Sequence, residues 1–454
     1  MSSSQPVRVV VLGAGIAGAT FVKRLLNLTS QKDCYVTVIE LRCVSIMKCA
    51  SARAVALGEK FAYRVAIPNE DLVPPHRGRV IHQKIKKISS SARTVKLEDG
   101  SKVSYDILVC ATGALSNSAC EPTLKLRNTR DIVKWYKYWN DEIEKVKRVT
   151  ILGGGVVGTE MAAEIKYHNP SKIVSLISNE HVLIDGGSPA VLPGFNEKLK
   201  AKLDKLGVRL YLGQKPINLR EKDFRGRCFL SGYRTIETSA AEQVRSDLIL
   251  LCNGKTLNNK MYPSEWMNRQ GQLNVSNTLQ LQVNPNVFAI GDINSAKVNK
   301  QAYTAIKQAE LAATNVKKLM QTKGLKSYAP SNFTVLSLPV GRNKGVTQYG
   351  PVVFGDRVTR KWKGEELQIS NRWKLYNQEK ALIRENEENW VLMSQSMYPA
   401  SASAGKPAPT YNGSTPYGAS DPVPRRNHNQ NVQMNHYMNY DNRYGPPINP
   451  ANYG

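Results

Sequence analysis

Val7-Arg8-Val9-Val10-Val11-Leu12-Gly13-Ala14-Gly15-Ile16-Ala17-Gly18 opens the chain, and its reading decides the fold. The β-branched run predicts a buried strand, the glycines a tight turn, and the stretch that follows has helical periodicity. Each glycine has its own reason. Gly13 permits the turn, Gly15 leaves the backbone open to a pyrophosphate, and Gly18 lets helix and strand pack closely. The phosphates would then rest on a helix N-terminus, where unpaired amides and the helix dipole favour anions. A second strand over 35–39 ends at Glu40, whose carboxylate is placed to accept both ribose hydroxyls. Gly13, Ala14, Gly15, Ile16, Ala17, Gly18 and Glu40 are therefore candidate cofactor-binding residues.

The pattern recurs. Val149-Thr150-Ile151-Leu152-Gly153-Gly154-Gly155-Val156-Val157-Gly158 repeats strand, turn and helix start, so Gly153, Gly155 and Gly158 are candidates for a second pyrophosphate. The next strand of this unit ends in Ser178, where the first has Glu40. Without a carboxylate there a 2′-phosphate is not repelled, and no arginine follows to select it, so NADH and NADPH both fit. A later strand over 286–290 ends in Gly291-Asp292 and returns the chain to the first unit. The expected fold is α/β, with two Rossmann-like dinucleotide-binding domains, the second inserted in the first. Residues 1–114 and 255–327 form the first domain and 115–254 the second. A small α+β domain follows over 328–393. Residues 394–454 contain no Leu, Phe or Trp, cannot bury enough apolar surface, and predict a disordered tail.

Composition sets the outer limits. No stretch approaches the roughly 18 apolar residues of a membrane-spanning helix. Few residues precede the first strand, so no signal or transit peptide is expected, and a cytoplasmic protein is. Seven scattered cysteines fit reduced thiols better than a disulfide framework. No metal site stands out among the six histidines. The net charge of +27 calls for an anionic partner, a polyanionic surface or a solubility role. Lys134-Trp135-Tyr136-Lys137-Tyr138-Trp139 and Arg360-Lys361-Trp362-Lys363 interleave cations with aromatics. That pattern suits an anionic membrane surface or a nucleic acid, and equally a solvated face with its rings packed inward.

Further segments carry a resemblance. The strand 107–110 running into Ala111-Thr112-Gly113, with Ala289-Ile290-Gly291-Asp292, resembles the signatures of two-dinucleotide-binding-domain flavoproteins. Over residues 7–375 the chain is similar to the ferroptosis-suppressor and apoptosis-inducing-factor-like group, itself related to type II NADH dehydrogenases. The segments 158–166, 340–346 and 370–374 carry that likeness. It implies FAD in the first unit, with Asp292 on the ribityl chain and Arg53, Val80, Thr112 and Gly113 beside the cofactor, and NADH or NADPH in the second. Glu160 would orient the nicotinamide carboxamide, or is simply a glutamate favoured by its helix N-terminus. Animal members often begin Met-Gly for myristoylation. This chain begins Met1-Ser2-Ser3-Ser4, so lipid anchoring by that route is not expected.

The acceptor follows by the same resemblance. Cys43 and Cys49 do not share a helical face, so a redox disulfide is not expected, and electrons would pass from the flavin directly to a small acceptor. The group reduces ubiquinone-type and vitamin-K-type quinones at a membrane surface. A peripheral location on a lipid droplet, the plasma membrane or the outer mitochondrial membrane would follow. Tyr303, in the segment after Asp292, would line the quinone pocket, or pack with Ile306 on the core. The competing reading is a basic, nucleic-acid-binding flavoprotein of the apoptosis-inducing-factor type with secondary redox activity. A reductase for a small radical such as monodehydroascorbate also remains open.

Overall fold

The computed structural model describes residues 5–185, 191–330, 334–364 and 366–383; Met1 to Ser4 and the expected tail 394–454 lie outside the described residues. Its first sheet runs Gln280–Leu281, Asn284–Ala289, Ile107–Cys110, Val7–Leu12, Cys34–Glu40, Gly78–His82, parallel except for the first edge strand. Strands from both ends of the sequence build it. The second sheet runs Val208–Leu212, Ile173–Ser178, Arg148–Leu152, Gln243–Leu251, Phe229–Glu237, all from the stretch between. One dinucleotide-type unit is therefore inserted in the other. In both sheets the strand carrying the glycine turn lies where the order reverses, and the carboxyl ends of its strands open the crevice in which such folds bind ligands.

The first sheet is apolar on both faces, as buried parallel strands must be. Val9, Val11 and Val109 pack toward the helices, among them Ile16–Leu28 with its buried Phe21 and Leu25. Val10, Leu12, Leu108 and Cys110 pack against a three-stranded antiparallel sheet of Ile85–Ser89, Thr94–Leu97 and Lys102–Ser104. The C-terminal part is a second antiparallel sheet of Val335–Val340, Lys344–Tyr349 and Val352–Phe354. A short helix Asp356–Thr359, a π-helical turn Arg360–Gly364 and the helix Ile369–Leu375 follow it.

For one aromatic cluster the reading with its rings packed inward is the one found. In the helix Thr129–Glu144, Trp135, Tyr136 and Trp139 are buried while Lys134 and Lys137 face solvent. Trp135 Nε1 donates to Ala119 O at 2.8 Å, and the Trp139 ring meets Phe229 edge-on at 5.0 Å. The interleaving is the ordinary pattern of an amphipathic helix, with its rings in the core and its cations outside.

A buried charge pair joins the parts. Arg53, in the helix Ser51–Leu57, sends Nε and a terminal nitrogen to the two oxygens of Glu164 at 3.0 and 2.9 Å. Its other terminal nitrogen donates to Gly364 O at 3.2 Å. Glu164 lies on the helix Val156–His168 of the inserted unit and Gly364 on the C-terminal part, so this one side chain bonds three parts of the fold. Burial works against the Glu164 carboxylate, but His168 and Arg53 outweigh it and hold the group below its usual range. Losing one partner of such a pair strands the other charge, at about 3–5 kcal/mol. Arg53→Met should therefore lower unfolding free energy by about that much, and Arg53→Met with Glu164→Met should recover most of it. Denaturant titration of both variants beside the parent protein checks this.

Candidate cofactor and acceptor site

Both glycine turns have the same physical construction. Gly13 has φ +99° and Gly153 φ +121°, conformations that favour glycine. A Cβ on Gly13 would lie 2.6 Å from Ala111 O, and one on Gly153 2.7 Å from Cys252 O. Gly18 and Gly158 are closed too, since a Cβ on either would collide with the carbonyl of the turn's first glycine. The middle glycines differ. A Cβ on Gly15 or Gly155 would meet nothing within 4 Å. Each turn thus leaves open space in front of its middle residue, at a helix N-terminus, as a pyrophosphate cradle requires.

Around the first turn, Ala14 N donates to Glu40 Oε2 at 2.7 Å, so the acid at the strand end is tied to the turn. Ser45 Oγ and Tyr376 Oη donate to Ala14 O at 2.8 and 2.7 Å. Ile16 and Ala17 begin the helix. Thr112 Oγ1 donates to Asn258 O at 2.7 Å, and Gly113 has φ +65°. Asp292 stands in the short turn Gly291–Ile293, and a Cβ on Gly291 would lie 3.2 Å from that of Ala17. The fold therefore brings Asp292 to the first glycine turn from 274 residues further along the chain. Asp292 Oδ2 lies 3.6 Å from Lys255 Nζ. Close by, Lys300 Nζ donates to Asn294 O at 2.7 Å, and burial pulls that amine down to about 8. Val80 pairs in register with Val38, at the half-buried edge of the same sheet.

Arg53 stands apart from that group. Expected beside FAD, it is 1% exposed and engaged with Glu164 and Gly364, so it presents almost no surface to a ligand. In the second unit Ser178 is buried at its strand end, against the turn, and the exposed Glu180 follows two residues on.

Glu160 is not an exposed helix-terminal acid. It is buried, and Lys363 Nζ donates to its Oε1 at 2.5 Å. Burial pushes the Glu160 carboxyl up and Lys363 opposes that shift; Lys363, against its own burial, is held up by Glu160. The two groups form an ion pair between the inserted unit and the C-terminal turn. Lys255 and Lys300 carry no motif, and Lys363 reads only as one cation of the cluster 360–363; its pairing with Glu160, 203 residues away, does not show along the chain. Tyr303 is half-buried in the helix Ala302–Met320, with Lys307 Nζ 5.9 Å from its ring centre. Cys43 is exposed, Cys49 half-buried, and both are free. Among the described residues no group of three or more His, Cys, Asp or Glu could hold a metal.

The geometry now meets its relatives. Residues 7–309 match the model of the pyridine nucleotide-disulphide oxidoreductase family. The chain belongs to that family. It is 31% identical over 385 residues to ferroptosis suppressor protein 1 of Xenopus laevis, covering 82% of this chain and 97% of the relative. It is 28% identical to apoptosis-inducing factor homolog B of Dictyostelium discoideum, covering 84% and 100%. Among solved structures it resembles the sulfide:quinone oxidoreductase of Aquifex aeolicus, with TM-score 0.64 and 16% identity, over 82% of this chain and 92% of that one. The chain is thus an NAD(P)H-dependent flavin oxidoreductase, and FAD and NADH or NADPH are the groups its two cradles fit.

The cradles make separable predictions. Gly15→Val should abolish most of the flavin absorbance of the purified protein, and Asp292→Ala should lower it. Gly155→Val should keep the flavin but raise the concentration of NADH needed to bleach it anaerobically by at least tenfold. Gly18→Val, which meets backbone, should instead lose folded protein. Absorbance spectra, an NADH titration and thermal melts distinguish the three outcomes.

Proposed function

We propose that this oxidoreductase passes the electrons of NADH or NADPH to a quinone at a membrane surface. One observation carries the reading. The π-helical turn Arg360–Gly364 points Trp362 outward, 40% exposed, and the next residue, Lys363, inward onto Glu160. A single turn therefore joins an exposed aromatic ring to an ion pair inside the fold.

The surroundings support a surface for an apolar acceptor. Trp362 meets Tyr349 edge-on at 5.9 Å, and Tyr349 and Val352 are 46% and 48% exposed. Lys307 lies over Tyr303 and within electrostatic reach of Tyr349, which links this patch to the start of the helix behind Asp292. Exposed Arg360 and Lys361 flank it. Tryptophan and tyrosine favour the membrane-water interface, and each basic residue near an anionic bilayer contributes about 1 kcal/mol. Among the described residues no helix is long and apolar enough to cross a membrane.

The chemistry divides simply. The first cradle would hold FAD and the second the nicotinamide nucleotide, and FAD would supply the two-electron hydride chemistry. Reducing a quinone to a quinol also consumes two protons, one arriving with the hydride and one from the medium. The Lys363 ammonium, paired with Glu160, would supply that second proton. Three buried thiols, Cys110, Cys120 and Cys228, and the half-buried Cys252 are pushed up by desolvation and stay protonated, which suits structure rather than electron relay.

Lys363→Met should leave the flavin bound and reducible by NADH, yet slow quinone turnover by roughly 10²-fold or more. Trp362→Ala with Tyr349→Ser should weaken co-sedimentation with anionic vesicles while sparing turnover of a short-chain soluble quinone. Replacing Cys43 and Cys49 with serine should change neither. Stopped-flow flavin reduction, quinone assays and vesicle sedimentation check these. A Cys43/Cys49 variant that keeps its flavin but loses turnover would overturn direct transfer.

A further inference from the structure

The two cradles differ in what stands at the end of the second strand. Gly13 N donates to Ile39 O and Gly153 N to Ile177 O, each at 2.9 Å, so Ser178 occupies the place that Glu40 holds in the first unit. Ser178 is too short for the task of Glu40. Its hydroxyl lies flush against the turn, where a Cβ on Gly154 would meet it at 2.7 Å, and it accepts from Glu180 N at 3.3 Å. The chain then folds back on the same turn. Residues 179–182 are exposed, Leu183 and Ile184 are buried, and Ile184 N donates to Gly154 O at 2.9 Å. A short loop is thereby pinned at both ends to the rim of the second cradle.

Its crest is pinned as well. Gly213 N, just past the neighbouring strand, donates to Glu180 O at 2.8 Å, and His181 covers Gly213 so closely that a Cβ there would meet its ring at 2.5 Å. Ile184 closes the loop at φ +58°, a conformation a β-branched residue adopts only when its surroundings impose it. The Glu180 backbone is thus held through both its N–H and its C=O, while its carboxylate is exposed and accepts from Asn179 Nδ2 at 3.1 Å. Charge along this stretch is one-sided. The chain has 63 lysines and arginines, yet residues 173–197 contain none and carry three acids, Glu180, Asp185 and Glu197. Among the described residues no lysine or arginine pairs with Glu180.

We propose that Glu180 fills the part that Ser178 leaves open, accepting the adenosine ribose hydroxyls of the nucleotide in the second cradle, and so selects NADH over NADPH. The turn that sets Glu180 N on Ser178 Oγ brings Glu180 back toward the strand end, so its longer side chain recovers the reach that Glu40 has in the first unit. A carboxylate accepts two ribose hydroxyls readily, and the Asn179 amide beside it is a further polar partner. A 2′-phosphate would instead bring its own negative charge against that carboxylate, with no cation in the loop to offset it. Spacing alone looks for the acid at the strand end and finds a serine there. The selection rests on the nicotinamide reading of the second cradle and is independent of the acceptor.

The test uses the full-length, FAD-loaded protein and two readouts. Stopped-flow flavin reduction should give a kcat/KM for NADH about tenfold or more above that for NADPH. Glu180→Gln should shrink that ratio by about tenfold, and Glu180→Arg should reverse it. Calorimetry, which needs no turnover, should find 2′,5′-ADP bound about tenfold or more weakly than ADP by the parent protein, and more tightly than ADP by Glu180→Arg. Glu197→Gln removes the same charge from the same stretch and should leave the ratio within about twofold. Flavin content and melting temperature should stay as they are in all three variants, because both acids are exposed. A ratio that neither Glu180 variant moves, or that Glu197→Gln moves as far, overturns the proposal while the donor reading stands. A parent protein that prefers NADPH overturns it too. Flavin that neither nucleotide reduces overturns the donor reading and the proposal together.

Discussion

The Arg53-Glu164 pair is the constraint on which the relative placement of everything else depends. It lies between a helix of the first domain, a helix of the inserted unit and the carbonyl of Gly364. Four residues before Glu164 on the same helix, one turn away, Glu160 meets Lys363, the residue before Gly364. The two pairs therefore act together. Arg53 fixes how far the C-terminal turn stands from the inserted unit, and that distance decides whether Lys363 can reach Glu160. Burying four charges costs desolvation that ion pairing seldom more than offsets, so this cluster is better understood as specifying one arrangement of parts than as a reserve of stability.

The two glycine turns were legible because each requirement is local. A strand, a left-handed glycine, an open middle glycine and a close-packed third glycine lie within twelve residues, and each spacing follows from backbone geometry rather than from tertiary contacts. The insertion was legible for a related reason. The strand before Gly291-Asp292 had to rejoin the first sheet, and it pairs there with Ile107–Cys110.

What was not legible depends on long-range register or on which way a ring turns. Composition treats Trp135 and Trp362 alike, each in a cluster of cations and aromatics. One lies in a helix with a full turn of core beneath it, the other in a short π turn at the surface. Arg53 was expected beside the cofactor because its position was inferred from likeness, and nothing in its neighbourhood along the chain reveals Glu164. Register between strands is hidden for a related reason. Lys87, Lys96 and Lys102 look like scattered surface charges until pairing aligns them.

The π-helical turn sharpens the functional argument. In an α-helix successive side chains point about 100° apart, enough to put Lys134 in solvent and Trp135 in the core. A π turn, an insertion that recurs at functional sites, re-aims one residue relative to the next. Here it lets Trp362 stay in the exposed patch while Lys363 reaches inward to Glu160. Holding that geometry is the work of Gly364, whose carbonyl accepts from Arg53 and whose position leaves no room for a Cβ beside Arg342 O. A turn so constrained from inside ties any shift of its outer surface to the buried pair. The aromatic patch and the Lys363–Glu160 pair are thus joined through one short element.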